Sequence, residues 1–233
     1  MANLNIQDKK LFEFNCTIDN LAKYAKLVSE QNKVMNISGF KTLEDVFNLG
    51  VINSLYMLCS LKNIGFDLTN KNVLDIGAGA GFPSIPILLA SKQKFNLTII
   101  ESQKKRVDFL NKLKEEFNLN TLKIIWNRAE EYKEELNSFD LITARAVSSL
   151  KNLYMMSNHL LKKNGIFYFP KGKNYQDEAD ELLKSFNYLA NDLSIESIET
   201  LNNKEKEYYV KIIKKNDTPS SWPLSWKKIE SYK

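Results

Sequence analysis

The run at residues 73–83, Val-Leu-Asp-Ile-Gly-Ala-Gly-Ala-Gly-Phe-Pro, constrains the fold more than any other part of the chain. A short apolar strand of this kind needs both faces covered, and the glycines after it expose backbone N–H groups where no Cβ blocks a ligand. The apolar stretch at 85–90 reads as the first helix of a β-loop-α unit, its N-terminal dipole aimed at whatever the turn holds. The run is a cradle for a nucleotide-like ligand.

From residue 72 onward the pattern alternates strand and helix. Candidate strands are 73–76, 97–101, 123–126, 139–144 and 166–169, and the clearest helix is 104–117, with Val107, Leu110, Leu113 and Phe117 as its buried stripe. Five such units in series predict a parallel, doubly wound α/β sheet. A helix at 175–186 is followed by strands at 193–201 and 207–214 about an Asn202-Asn203 turn, an antiparallel pair at one edge that brings the sheet to seven strands. The tail from Asn216, with Pro219 and Pro223, reads as extended.

Residues 1–62 read as a helical extension packed on a main domain of residues 63–233, the whole one folding unit. Leu21, Tyr24, Ala25, Leu27 and Val28 recur at helical spacing, and Val46, Leu49, Ile52, Leu55, Tyr56 and Leu58 do so after a Thr42 N-cap with Asp45 at the reciprocal position. Between them lies a polar loop at 32–41 interrupted by Gly39. With 233 residues and 43% apolar content, one sizeable core is available.

Cys16 and Cys59 have no neighbours at metal-ligand or redox spacing, so both read as core thiols of a protein kept in a reducing compartment, with no metal. The N-terminus lacks a charged-then-apolar signal pattern and no apolar run approaches the ~20 residues of a membrane span, which predicts a cytoplasmic protein with no membrane partner. A net charge of +5 supports an RNA partner only weakly. More pointed is that among 33 basic residues only Arg106, Arg128 and Arg145 are arginine. In a lysine-favouring chain, a planar five-donor fork calls for a reason.

Gly77, Gly79 and Gly81 form a G-x-G-x-G pattern, whereas the dinucleotide fingerprint wants a small residue one position later, where Phe82 stands. Asp75 followed by this turn instead resembles the S-adenosylmethionine loop of Rossmann-like class I methyltransferases. Glu101 ends the next strand, where an acid accepts hydrogen bonds from both ribose hydroxyls, a role shared with NAD enzymes. After the third strand, Ala129 and Glu130 stand where the adenine should lie, or Glu130 is a solvated acid at a helix start. Arg145 follows the fourth strand and so enters the cleft, while Arg106 and Arg128, also after strand ends, are either ligand-facing or ordinary surface residues.

What the cleft lacks narrows the chemistry. No Cys follows the fourth strand to attack a pyrimidine, and Ala144-Arg145-Ala146-Val147 occupies the place of the Asp/Asn-Pro-Pro-aromatic loop used on exocyclic amines. Guanine N7 carries a lone pair and no proton, so it can take a methyl group without a general base, by positioning and electrostatics alone. The lone histidine, His159, falls in a helical pattern and reads as structural or exposed.

The segments 75–86, Lys105-Arg106-Val107-Asp108-Phe109-Leu110, Arg128-Ala129-Glu130-Glu131, Thr143-Ala144-Arg145-Ala146-Val147 and Lys171-Gly172, together with 32–38 upstream, occur in an order that resembles the bacterial 16S rRNA guanine-N7 methyltransferase family, also called glucose-inhibited division protein B. The resemblance spans roughly residues 32–215. It implies methyl transfer from S-adenosylmethionine to one guanine N7 of 16S rRNA, with the small ribosomal subunit as partner and the enzyme a monomer. By position it puts Gly77, Phe82, Ala129, Glu130 and Arg145 at the cofactor, Glu101 at the ribose, and Arg145 and Lys171 at the RNA-facing side, positioning substrate. The family's Arg-His-x-x-Asp-Ser signature reads Leu49-Gly50-Val51-Ile52-Asn53-Ser54 here, and Trp222 and Trp226, beside Lys227 and Lys228, either stack on unpaired bases or pack on the domain edge. Two other readings stand beside the methyltransferase: a non-catalytic RNA-binding or ribosome-assembly factor on the same fold, and a small-molecule methyltransferase.

Overall fold

The computed structural model describes residues 7–200 and 206–232. A 3-10 segment, Lys9–Thr17, leads into α1 (Ile18–Val34), and after a loop come α2 (Leu43–Asp45), a π-helical turn (Val46–Ile52) and α3 (Asn53–Asn63). Then follow β1 (Asn72–Ile76), α4 (Ser84–Ala90), β2 (Asn96–Glu101), α5 (Lys104–Glu116), β3 (Leu122–Trp126), β4 (Phe139–Thr143), α6 (Leu150–Ser157), β5 (Leu161–Lys171) and α7 (Tyr175–Ser185). The chain closes with β6 (Leu193–Glu199), β7 (Lys206–Ile213) and α8 (Trp226–Glu230).

These strands make one seven-stranded sheet in the order β3-β2-β1-β4-β5-β7-β6. The first five are parallel, and β7 runs antiparallel to both β5 and β6, as the alternation and the terminal pair predict. Both faces are covered, which is why the strands are apolar almost throughout. Val73, Leu97, Ile99, Leu141 and Tyr168 join α1, α3, α4 and α5 in one core cluster, while Leu74, Ile100, Ile142, Phe167 and Phe169 pack with α6 and α7 in another. Leu21, Tyr24, Val28 and Leu55 of the N-terminal helices belong to the first cluster, so they share its core with the sheet. Strand order reverses between β1 and β4, and the crevice at their carboxyl ends is where open α/β sheets take ligands.

Several local expectations change. In the 3-10 segment the buried residues recur every third position, Leu11, Phe14 and Thr17, which turns Cys16 outward; only Cys59 is a buried thiol. The Thr42/Asp45 capping box forms as expected, but the π-helical turn behind it shifts the phase of the helix, and Leu49 of the expected buried stripe is exposed. Strand β5 starts earlier than the sequence pattern indicates, with Leu161 opposite Phe139 and a register shift before Leu141 meets Ile166. The tail is not simply extended, since α8 docks Ile229 into the second cluster. The Asn202-Asn203 turn, Leu201 and residues 1–6 of the N-terminal reading lie outside the described residues. No described helix is long and apolar enough to cross a membrane.

Candidate functional site

The glycine turn leaves the end of β1 and lies at the reversal of strand order. The Gly77 amide donates to the Ile100 carbonyl (2.8 Å) and the Gly81 amide to the Ala78 carbonyl (2.8 Å), which ties the turn to β2 and closes it on itself. Gly81 has φ 106°, and a Cβ there would stand 2.6 Å from Ile85 Cδ1. It therefore supplies the close approach of helix to strand that a dinucleotide site obtains from a later glycine, leaving the next position open to Phe82. Gly77, at φ 64°, would place a Cβ 2.8 Å from Val147 Cγ2, so the loop after β4 leans directly on the turn.

The N-terminal helices close over the same place. Asn32, in the last turns of α1, accepts from the Ile37 and Ser38 amides (3.2 and 3.1 Å) and donates to Ser38 Oγ and the Phe40 carbonyl (2.7 and 3.0 Å). One side chain thus fixes the loop that presents Phe40. Tyr24 donates to the Ala80 carbonyl (2.9 Å), and the rings of Tyr24 and Phe40 meet Phe82 edge-on, with centroids 5.4 and 5.6 Å away. Arg145 lies over Phe40 and Phe82, its guanidinium carbon 5.4 and 5.3 Å from their centroids, and its Nη2 donates to the Leu49 carbonyl (3.0 Å). Burial pulls the Arg145 pKa down from its usual value, partly offset by Glu207, Tyr24 and Asp75. A planar cation suits this slot as an ammonium would not.

Three acids stand at the carboxyl ends of β1, β2 and β3. Asp75 is fully buried and neither carboxylate oxygen has a partner at hydrogen-bond geometry. Burial lifts its pKa to about 8, although the facing Ser84 hydroxyl and amide and the Arg145 charge pull the other way. Glu101 accepts from the Gln103 amide (2.9 Å) and from the Gly79 amide (3.2 Å), with Arg106 Nη1 at 3.9 Å. Ala129 and Glu130 begin the 3-10 turn after β3, both buried. Glu130 Oε1 accepts from Arg128 Nε (2.5 Å), while its buried Oε2 has no partner. Gly77, Phe82, Glu101, Ala129, Glu130 and Arg145 thus all follow or end the parallel strands β1 to β4 at their carboxyl ends.

Beside Arg145 opens a cavity of about 380 Å³, bordered also by Phe40, Met57, Pro83, Lys171 and Glu207. Lys171 is committed within the protein: its ammonium donates to Glu178 Oε2 (2.7 Å) and the Ser148 carbonyl (3.1 Å), and its side chain is 8% exposed. Across the cavity Asn53 Nδ2 donates to Glu207 Oε1 (2.8 Å). The altered signature is therefore built into the site. Leu49 gives its carbonyl to Arg145, Gly50 lies under the Phe82 ring, and Asn53 holds Glu207. Sequence reasoning missed Phe40, Met57 and Glu207, since a loop aromatic, a helical methionine and the acid at a strand start carry no local signal.

Other singled-out residues lie elsewhere. His159 sits in the 3-10 turn before β5, at the opposite edge of the sheet, with Nε2 against the Tyr132 carbonyl (2.9 Å); burial lowers its pKa, so it is a neutral structural group. Trp222 packs edge-on against Tyr154 and Phe186, and Trp226 lies against Arg128, 5.2 Å from ring centroid to guanidinium carbon. Packing on the domain edge accounts for both.

A sequence profile of the family described as rRNA small subunit methyltransferase G matches residues 17–208. A protein named ribosomal RNA small subunit methyltransferase G from Malacoplasma penetrans is 35% identical over 211 residues, covering 88% of this chain and 86% of its own. One of the same name from Mycoplasmopsis pulmonis is 34% identical over 217 residues, 91% of each chain. Among solved structures, a putative S-adenosylmethionine-dependent methyltransferase from Methanococcus maripaludis superposes with a TM-score of 0.51 at 15% identity, covering 92% of this chain and 99% of that one, a likeness of fold.

Proposed function

The chain belongs to the rRNA small subunit methyltransferase G family, and from that premise we propose that this S-adenosylmethionine-dependent enzyme methylates N7 of a guanine in the 16S rRNA of the small ribosomal subunit. The observation that carries the reading is the buried Asp75, without a partner at hydrogen-bond geometry, at the end of the strand that runs into the glycine turn. A buried carboxyl with no partner at hydrogen-bond geometry has capacity left for a ligand donor or a nearby cation, and Glu101 and Glu130 keep acceptor sites for hydroxyl and amine donors. These features fit S-adenosylmethionine, which supplies an electrophilic methyl group on a sulfonium sulfur.

The roles of the individual residues follow from that fit. Gly77 and Phe82 form the wall against which the cofactor rests, Glu101 takes the ribose, and Ala129 with Glu130 takes the adenine. Arg145, stacked on Phe82, separates the cofactor crevice from the cavity for the base. Lys171 shapes that cavity through Glu178 and contributes charge, not a fork. Methyl transfer to N7 would need no proton moved by the protein, because that nitrogen carries a lone pair and no hydrogen, so the residues here have only to bind and orient. The absence of an imidazole or thiol at the crevice is therefore consistent with this reaction.

The test is transfer of labelled methyl groups to small subunits lacking the modification, followed by mapping of the labelled base. Label in one guanine as 7-methylguanine is the expected result; no incorporation by protein that binds S-adenosylmethionine in calorimetry overturns it.

A further inference from the structure

We propose that Arg128, held between Glu130 and Trp226, is the positioning residue of the adenine subsite, so that the C-terminal helix takes part in selecting the cofactor. The assignment rests on the reading above, in which Ala129 and Glu130 take the adenine. The Glu130 side chain is 1% exposed, and its two oxygens are used differently. Oε1 accepts from Arg128 Nε, whereas Oε2 has no hydrogen-bond partner. A buried carboxylate with both oxygens unpaired is costly and free to turn. One pinned oxygen fixes the plane of the group and leaves the other as a single directed acceptor. That acceptor suits the 6-amino group of adenine and opposes a purine with a 6-oxo group, because two acceptors would then meet.

The arginine does this with two surfaces. Its edge gives Nε–H to Glu130, and its face lies over the Trp226 indole, 5.2 Å from guanidinium carbon to ring centroid. A planar cation presents both at once and an ammonium does not, which gives a reason for arginine in a chain that favours lysine. The Arg128 amide also donates to Asn127 Oδ1 (2.7 Å), so the backbone entering the 3-10 turn is fixed beside the side chain. Arg128 is itself exposed, and an exposed arginine gives up rotamer freedom to hold an ion pair. The indole offsets that loss by offering a second contact to the same rotamer.

Trp226 supplies this support from a seat of its own. It opens α8, whose Ile229 is buried in the second core cluster. Just beyond, the Tyr232 ring stacks on Phe186, with centroids 5.5 Å apart, and the Tyr232 carbonyl accepts from Lys151 (3.1 Å). The tail is therefore anchored by the domain core, and a continuous chain of contacts runs from it through Arg128 to Glu130.

The experiment measures binding of S-adenosylhomocysteine and of S-inosylhomocysteine, its 6-oxo counterpart, to the full chain by calorimetry. Wild type should prefer the adenine form about 10- to 100-fold. Arg128→Ala should weaken the adenine form about tenfold and leave the 6-oxo form within about threefold, so that most of the preference is lost. Trp226→Ala should narrow the preference partway, and Trp226→Phe, which keeps a ring face, should restore it. In turnover the Arg128→Ala defect should appear in KM for S-adenosylmethionine more than in kcat. General damage to the fold weakens both nucleosides alike, so equal loss with the preference retained, or no change at all, overturns the assignment. Should Arg128→Ala fail to fold, Arg128→Lys, which keeps the charge but not the planar fork, is read for the same loss of preference. A wild type that binds both forms equally overturns the placement of Glu130 at the adenine and this assignment with it, and one that binds neither overturns the cofactor reading itself.

Discussion

At the scale of single residues, the informative feature is a buried carboxyl left without a hydrogen-bond partner. Asp75 is fully buried in β1 between Ile99 and Thr143 of the flanking strands, and burial lifts its carboxyl to a pKa of about 8. In the unfolded chain it titrates near 3.8, so between those values the native state binds the extra proton. Its contribution to stability is therefore complete below pH 4 and is lost as pH rises toward 8, on the order of 4 kcal/mol by pH 7. Asp75→Asn should remove that slope. We expect the ligand-free variant to melt above wild type at pH 7.5, with the gap closing as pH falls to 4, and to bind S-adenosylmethionine at least ~10-fold more weakly. A variant that melts lower at every pH would show that the carboxylate is already satisfied in the free protein. The same residue illustrates the exchange of stability for function, because the group that binding would satisfy is the one that folding leaves exposed to a low dielectric.

Between residue and molecule, the elements that matter most are the ones with least regular sequence. The π-helical turn at Val46–Ile52 brings Gly50 beneath Phe82, so close that a Cβ would lie 2.5 Å from Cζ and 3.2 Å from Phe40 Cε2. Helix propensity alone favours Gly50→Ala by about 1 kcal/mol. Overpacking opposes it by about 1–3 kcal/mol, and the Phe82 ring, enclosed by Tyr24, Phe40 and Arg145, has nowhere to move. The clash should win: a lower melting temperature together with weaker S-adenosylmethionine binding, whereas a stabilised variant would mean that the ring yields. This turn also marks where the sequence stopped being legible. The glycine turn, the parallel strands, the antiparallel pair and the Thr42 cap all follow from local patterns, since their residues answer to their immediate neighbours. The outward Leu49, the Phe40 approach pinned by Asn32 and the Asn53–Glu207 pair do not, because each depends on a partner far along the chain or on a helix that changes its winding. The strand-end positions of Gly77, Glu101 and Arg145 were readable; the cavity beside them was not, because its walls come from six stretches spread between residues 40 and 207.

Over the whole molecule, the two edges of the sheet are treated differently. Among the described residues, the buried carboxylate oxygens without partners belong to Asp75 and Glu130, both at the carboxyl ends of the parallel strands. The opposite edge is tied down: Asp140 accepts from the Asn72 amide (2.8 Å) and from Lys162 (3.0 Å), and the buried Lys214 ammonium donates to Asn137 Oδ1, the Asn158 and Leu161 carbonyls and Thr218 Oγ1 at 2.7–2.9 Å. Lys214 thereby joins β7, the start of β5, the loop before β4 and the tail. Burial lowers its pKa from 10.5 to about 8, so the native state binds fewer protons than the unfolded chain between those values, and this group's contribution to stability rises with pH across that window. Replacing it with methionine relieves the burial of a charge but strands the oxygens that share its three N–H groups, and the second effect should dominate, costing about 1–3 kcal/mol at pH 7. Lys214→Met should therefore melt below wild type, the deficit should widen from pH 8 to pH 10, and S-adenosylmethionine affinity measured below the melting range should stay unchanged. A loss of affinity as large as that from Asp75→Asn would mean that the two edges are coupled through the sheet, and the division between a satisfied, stabilising edge and an unsatisfied, binding edge would fall.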